Sequence, residues 1–157
     1  ALKENGGVVQ IVAFPSYVKV QPPERGEAVA ALREELGLTN REAMRTMDGE
    51  TRAAYERRMA EIEARWPTAD VSDFVDHIDY AVQRIGIDHV AISSDFDGGG
   101  GVVGWNDASE TFNVTLELVR RGYTEEEIAK LWSGNTLRLW RDAERVAAEM
   151  QGRVAVR

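Results

Sequence analysis

The sequence predicts an α/β fold, and within that class the terminal portion of a larger α/β barrel. Three observations predict it. Two short apolar runs, residues 8–14 and 89–95, are rich in β-branched residues, the pattern of strands buried on both faces of a parallel sheet. Helical stretches lie between and after them, and alternation of strand and helix calls for parallel pairing. Two strands can neither close nor cover such a sheet, so the pattern expects further strands outside these 157 residues.

The elements follow in order. Ala1 to Gly7 reads as the last turn of a helix, stopped at glycine where a helix C-terminus wants one, so a helix is expected ahead of it. Val8 to Phe14 is the first strand, bounded by Gly6-Gly7 and Pro15. Gln21 to Gly26 is a loop, followed by two or three helices. Glu27 to Leu36 closes at Gly37, Thr39-Asn40-Arg41-Glu42 is a capping box with Thr39 at the N-cap, and Thr51 to Trp66 stops at Pro67. That last helix spaces Tyr55, Met59 and Ile62 on one face; its charges (Arg57, Arg58, Glu61, Glu63, Arg65) are a solvated face. Asp70 caps a helix with the stripe Phe74, Ile78, Ala81 and Ile85, ending at Gly86. The second strand runs from His89 into the glycine-rich Asp95-Phe96-Asp97-Gly98-Gly99-Gly100-Gly101. Ala108 to Arg121 is helical, Thr124 opens a second capping box and a short helix to Trp132, and Asn135 to Met150 is the last helix, with Leu139, Val146 and Met150 as its apolar positions.

Composition excludes several functions. Nineteen Lys and Arg against 27 Asp and Glu give a net charge of −8, the wrong sign for a nucleic-acid backbone or an anionic membrane surface. Nothing approaches the ~20 apolar residues that cross a bilayer, so no membrane insertion and a soluble chain are expected; the compartment is open. Zero cysteines remove disulfides, thiolate metal sites and a cysteine nucleophile together.

Asp95 is the most informative candidate. A carboxylate at the C-terminal end of a barrel strand stands where such enzymes place catalytic groups, and the glycines after it let the backbone turn tightly. The alternative is that Asp95 only caps a turn. Sharper motifs fail here. A phosphate loop needs Gly-Lys-Ser/Thr, but Trp105 and Asn106 follow Gly104; a dinucleotide loop would open straight into a helix, but Val102 and Val103 intervene; a calcium loop from Asp95 needs Glu where Asn106 stands. Tyr17, just past the first strand, is either a hydrogen-bond donor to a substrate or an ordinary loop aromatic. His77, among Asp76 and Asp79, is either a surface histidine or part of a site, and His89 is structural, at the opposite barrel end. No His-x-His, His-x-Asp or His-Glu-x-x-His spacing occurs, so the chain holds no standard zinc site of its own and contributes no metal ligand. Asn113-Val114-Thr115 fits the glycosylation pattern but falls inside a helix, which makes it a chance match.

These residues together resemble the C-terminal part of the renal (membrane) dipeptidase family of zinc metallopeptidases. The carrying stretches are Asn5-Gly6-Gly7-Val8-Val9, Val75-Asp76-His77-Ile78-Asp79-Tyr80 and Gly86-Ile87-Asp88-His89-Val90. The most specific is Ile92-Ser93-Ser94-Asp95-Phe96-Asp97-Gly98, followed by Leu118 to Glu126 and Gly134-Asn135-Thr136-Leu137-Arg138-Leu139-Trp140. The match runs from residue 1 to about residue 144. The resemblance implies the last two strands, with their helices, of a (β/α)8 TIM-type barrel holding two zinc ions on ligands outside this sequence. It also implies dipeptide hydrolysis, with Asp95 as the strand-eight acid/base and Tyr17 binding the substrate carboxylate. It gives His77 no catalytic role.

The chain is therefore expected to be one partial domain over residues 1–157, with 21–67 a helical insertion serving as a lid or a subunit contact. Its expected partners are a dipeptide substrate and the remaining N-terminal part of the barrel, with a homodimer as one allowed assembly. By itself the chain is expected to be inactive. The competing reading is a non-catalytic half-barrel or interaction module.

Overall fold

A computed structural model describes residues 1–154 of the chain. They form two compact units: one combines Ala1–Val18 with the chain from Ala69 onward, and the other is Lys19–Thr68.

The 19–68 unit is helical. Helix α3, Pro23–Glu35, begins inside the segment expected to be a loop, because proline at the first helical positions loses no hydrogen bond that the helix end would have made. Helix α4, Arg41–Thr46, is capped by Asn40 and not by Thr39: the Asn40 Oδ1 accepts from Ala43 N–H at 2.9 Å. Helix α5, Gly49–Arg65, starts ahead of the predicted Thr51 because Asp48 accepts from Thr51 N–H at 2.7 Å. That bond, with one from the Thr51 hydroxyl, holds the Asp48 carboxyl below the usual carboxylate range. Leu32 and Leu38 are buried, and Tyr55, Met59 and Ile62 are half-buried on the expected face of α5. Arg58 forks onto Glu35 of α3 at 3.1 and 3.2 Å, and Arg65 covers the Trp66 ring at 4.4 Å. Both ion-pair partners are exposed, so the pair orients the two helices more than it stabilises them.

The other unit carries the strands. Helix α1, Leu2–Asn5, stops at Gly6, whose φ of 74° is the left-handed cap the sequence predicts. Strand β1, Val9–Val12, pairs in parallel with β2, Val90–Ser93, in the register Val9↔Val90 to Val12↔Ser93. Both strands are shorter than their apolar runs. A single helical turn, α2 (Pro15–Val18), takes over after β1, and a 3₁₀ turn at Ile87–His89 precedes β2. His89 has the structural role expected of it: its Nδ1 meets the Gly7 carbonyl at 2.8 Å, tying the N-terminal ends of the two strands together.

Helix α6, Val71–Ile85, is opened by a reciprocal capping box between Asp70 and Asp73, so the predicted Asp70 cap is present. It buries Phe74, Val75 and Ile78 against Val90 and Ile92. Helix α7, Thr111–Arg120, follows a 3₁₀ turn at Ala108–Glu110 and adds Val114 and Leu118 to the same core. Arg121 joins α7 to α6. Its guanidinium donates to Asp76 (2.5 Å), Asp79 (2.6 Å), Glu117 (3.0 Å) and the Ser72 carbonyl (2.8 Å), while the Tyr123 hydroxyl donates to Asp79 at 2.6 Å. Burial disfavours the Arg121 cation, but these carboxylates outweigh it and raise its pKa; burial and Asp79 together push the Tyr123 phenol up.

The C-terminal helices are continuous. Helix α8, Glu125–Ala129, has the predicted Thr124–Glu127 capping box but does not break before α9, Asn135–Val154, because one π turn at Lys130–Gly134 joins them. That turn directs Leu131 into the core, and the buried Asn135 amide donates to the Ile87 and Val90 carbonyls at 2.7 and 2.8 Å. Leu139, Val146 and Met150, the predicted apolar positions, are instead exposed, along with Trp140. Among the described residues no helix is long and apolar enough to cross a membrane.

The aromatic centre of this unit is Trp105, only 2% exposed. Its ring meets Phe74 at 5.5 Å, Phe96 at 5.3 Å and Trp132 at 5.8 Å, and its indole N–H donates to the Thr111 hydroxyl at 3.2 Å. Trp105→Ala is expected to cost about 3–5 kcal/mol, the range for truncating a large buried aromatic, measured as a drop in urea midpoint at unchanged slope.

Candidate functional site

The parallel register brings the C-terminal ends of β1 and β2 side by side, and both candidate residues lie just beyond them. Asp95 stands two positions after Ser93, and Tyr17 lies on the α2 turn that follows β1. Backbone bonds knit the two exits together. Ala13 N–H donates to the Ser93 carbonyl at 3.0 Å, and Gly101 N–H to the Ala13 carbonyl at 2.7 Å.

Asp95 is held in the left-handed region, with φ 56°, as is Asp97, with φ 63°. Few residue types tolerate this conformation; aspartate is one of them. The turn closes through the Asp95 backbone: its carbonyl accepts from Gly98 N–H at 3.1 Å and Gly100 N–H at 2.9 Å. Among the described residues nothing donates to its exposed carboxylate. Asp95 is therefore not a turn-capping side chain. One of the glycines is required by close approach: a Cβ at Gly100 would strike the Ser94 carbonyl and the Asp95 Cβ, whereas one at Gly98 would meet only the movable Asp95 carboxylate.

Tyr17 is 74% exposed, and its phenol has no partner among the described residues. Its ring lies 4.7 Å from that of Phe14 between centroids, and Phe14 in turn stands where a Cβ on Gly99 would touch it at 3.2 Å. Phe14 thus sits between the Tyr17 turn and the glycine loop. Sequence reasoning missed this residue, although an aromatic ending a strand directly before Pro15 was a usable signal.

Trp105 was missed as well. It anchors the far end of the loop, with Asn113 donating to the Gly104 carbonyl at 2.7 Å and Glu110 accepting from Asn106 N–H at 2.7 Å. The Asn113 amide, singled out by its glycosylation-like spacing, makes that bond at the surface. The stretch from Ala69 to Val71 bridges to Val103 through Val103 N–H to Ala69 O (2.9 Å) and Val71 N–H to Val103 O (3.1 Å). His77 and Asp95 are not brought together: His77 bonds to the Val18 carbonyl at 2.8 Å. Among the described residues no group of three or more His, Cys, Asp or Glu side chains could hold a metal ion, so the donor set present does not fit a zinc centre.

The chain is similar to several dipeptidases. Dipeptidase aclJ of Aspergillus oryzae is 37% identical over 150 residues, 95% of this chain and 25% of that protein. Dipeptidase ataJ of Aspergillus terreus is 46% identical over 81 residues, 51% of this chain and 20% of that protein. The crystal structure of the probable dipeptidase PvdM from Pseudomonas aeruginosa superposes with a TM-score of 0.63 at 40% identity, over 88% of this chain and 38% of that one. The chain thus spans a fifth to a quarter of the length of these curated relatives and under two fifths of the solved one. With the membrane dipeptidase model (peptidase family M19) matching residues 1–154, the chain belongs to that family.

Proposed function

We propose that this chain supplies the carboxyl ends of the last two strands of a (β/α)8 barrel that hydrolyses dipeptides, with residues 21–67 inserted between those strands. In this reading Asp95 takes and returns the proton at the scissile amide, and Tyr17 donates to the substrate's C-terminal carboxylate. The observation that carries it is the Asp95 carboxylate, held at a strand's C-terminal end by a strained backbone yet unused by the turn it belongs to. Zinc, implied by family resemblance, would need ligands from outside these residues. The isolated chain would then turn over no dipeptide.

Asp95→Asn in the complete enzyme is the decisive change. The amide is nearly isosteric and tolerates the same backbone conformation, but it cannot shuttle a proton. General acid–base catalysis contributes about 10²–10⁴-fold, so kcat is expected to fall by that order with metal content unchanged. Near-normal kcat would remove Asp95 from the reaction.

Tyr17→Phe tests the other assignment. Losing one hydrogen bond to a charged group is expected to cost about 1.5–3 kcal/mol. The loss should appear in KM, because the carboxylate is bound equally in ground and transition states. A kcat loss at constant KM would contradict the role.

A further inference from the structure

Helix α2 is one turn long, too short to persist in water without help from outside itself. Its start is closed locally, with Tyr17 N–H and Val18 N–H both donating to the Phe14 carbonyl at 2.9 and 3.1 Å. Its end is different. The Val18 carbonyl is one of the acceptors that every helix C-terminus leaves unpaired, and its partner is His77, 59 positions away on α6, with Nε2 at 2.8 Å. A carbonyl oxygen only accepts, so Nε2 carries the proton in this contact.

α6 is a rigid post for that donor. Phe74, Val75 and Ile78, which flank His77, are fully buried, and Asp76 and Asp79 are tied to Arg121. The position of the bond along the chain adds to its meaning. Val18 is the last residue before the chain leaves for the separate 19–68 unit, and it returns at Ala69, where the bridge to Val103 fixes it again. His77 therefore fixes the exit as the bridge fixes the return.

We propose that His77 is a positioning residue: by capping the α2 turn it holds the Tyr17 backbone in the conformation that presents the phenol. The proposal rests on the reading of Tyr17 as a substrate-carboxylate ligand. His77 touches no reacting atom and acts through the Val18 carbonyl.

The test uses the complete, metal-loaded enzyme with a dipeptide substrate, together with amide hydrogen exchange at Tyr17 and Val18. His77→Leu removes the donor and is expected to raise KM about three- to tenfold at unchanged kcat, the span one neutral hydrogen bond supports, and to speed exchange at both amides. His77→Gln, whose Nε2 can occupy the same position, should restore KM to within about twofold and restore slow exchange. In a Tyr17→Phe background His77→Leu should add nothing further to KM. Normal KM and slow exchange in His77→Leu overturn the proposal while leaving Tyr17 as assigned. So does Gln failing as badly as Leu, or an additive effect in the Tyr17→Phe background. Faster exchange in His77→Leu, with KM unmoved by Tyr17→Phe, overturns the Tyr17 reading instead, and the positioning role with it.

Discussion

The loop that bears Asp95 depends on the burial of Trp105. Glycine-rich backbone has little to lose by staying disordered and no side chains to pack, so an anchor must come from elsewhere. Trp105 provides it. Its ring is enclosed by Phe74 of α6, Phe96 of the loop and Trp132 of the π turn, and its indole N–H is satisfied by Thr111 at the start of α7. One side chain thus ties three elements to the loop, and the Gly101–Ala13 and Val103–Ala69 backbone bonds close the circuit. The aromatic geometries are tilted or edge-on, the arrangements that ring quadrupoles favour.

A second constraint is the short parallel pair. Four residues per strand make few backbone hydrogen bonds, so the strands are held in register from outside as well. His89 links their N-terminal ends through Gly7, and Asn135 grips the start of β2 through Ile87 and Val90. Arg138 adds bonds to the carbonyls of Gly6 and Asp88 at 3.2 and 2.9 Å. These polar clamps gather at the ends opposite the candidate site. The candidate-site end carries the left-handed Asp95 and Asp97 and the Tyr17 phenol, unpartnered among the described residues, with its loop anchored by Trp105.

Much of this was legible locally. The two apolar runs, the Asp70 and Thr124 caps and the glycine stop at Gly6 depend on a few neighbouring residues, and each appears where the sequence places it. The misplacements are also local in origin. Proline at the start of α3 looked like a loop signal because the same residue serves turns and first helical turns. Thr39 read as the cap because Glu42 completes a capping box with it, but Asn40, the stronger capping residue, takes that place. The α8–α9 junction looked like a break because Ser133-Gly134-Asn135 is rich in helix-ending residues, but a π turn absorbs them without leaving the helix.

The sequence by itself determined the α/β class, the parallel pairing, the family, and Asp95 and Tyr17 as the residues to examine. Those depend on periodicity, on short motifs and on where a carboxylate follows a strand. Only the tertiary structure decided what these side chains are free to do. It showed the Asp95 carbonyl closing the turn while the carboxylate stays unspent, Phe14 standing between Tyr17 and Gly99, and His77 reaching Val18. Hydrogen bonds and ring contacts between residues tens of positions apart are set by how strands and helices stack. No local pattern encodes that distance, so nothing in the sequence showed that His77, exposed on α6 as its surface reading expects, also reaches the end of the Tyr17 turn.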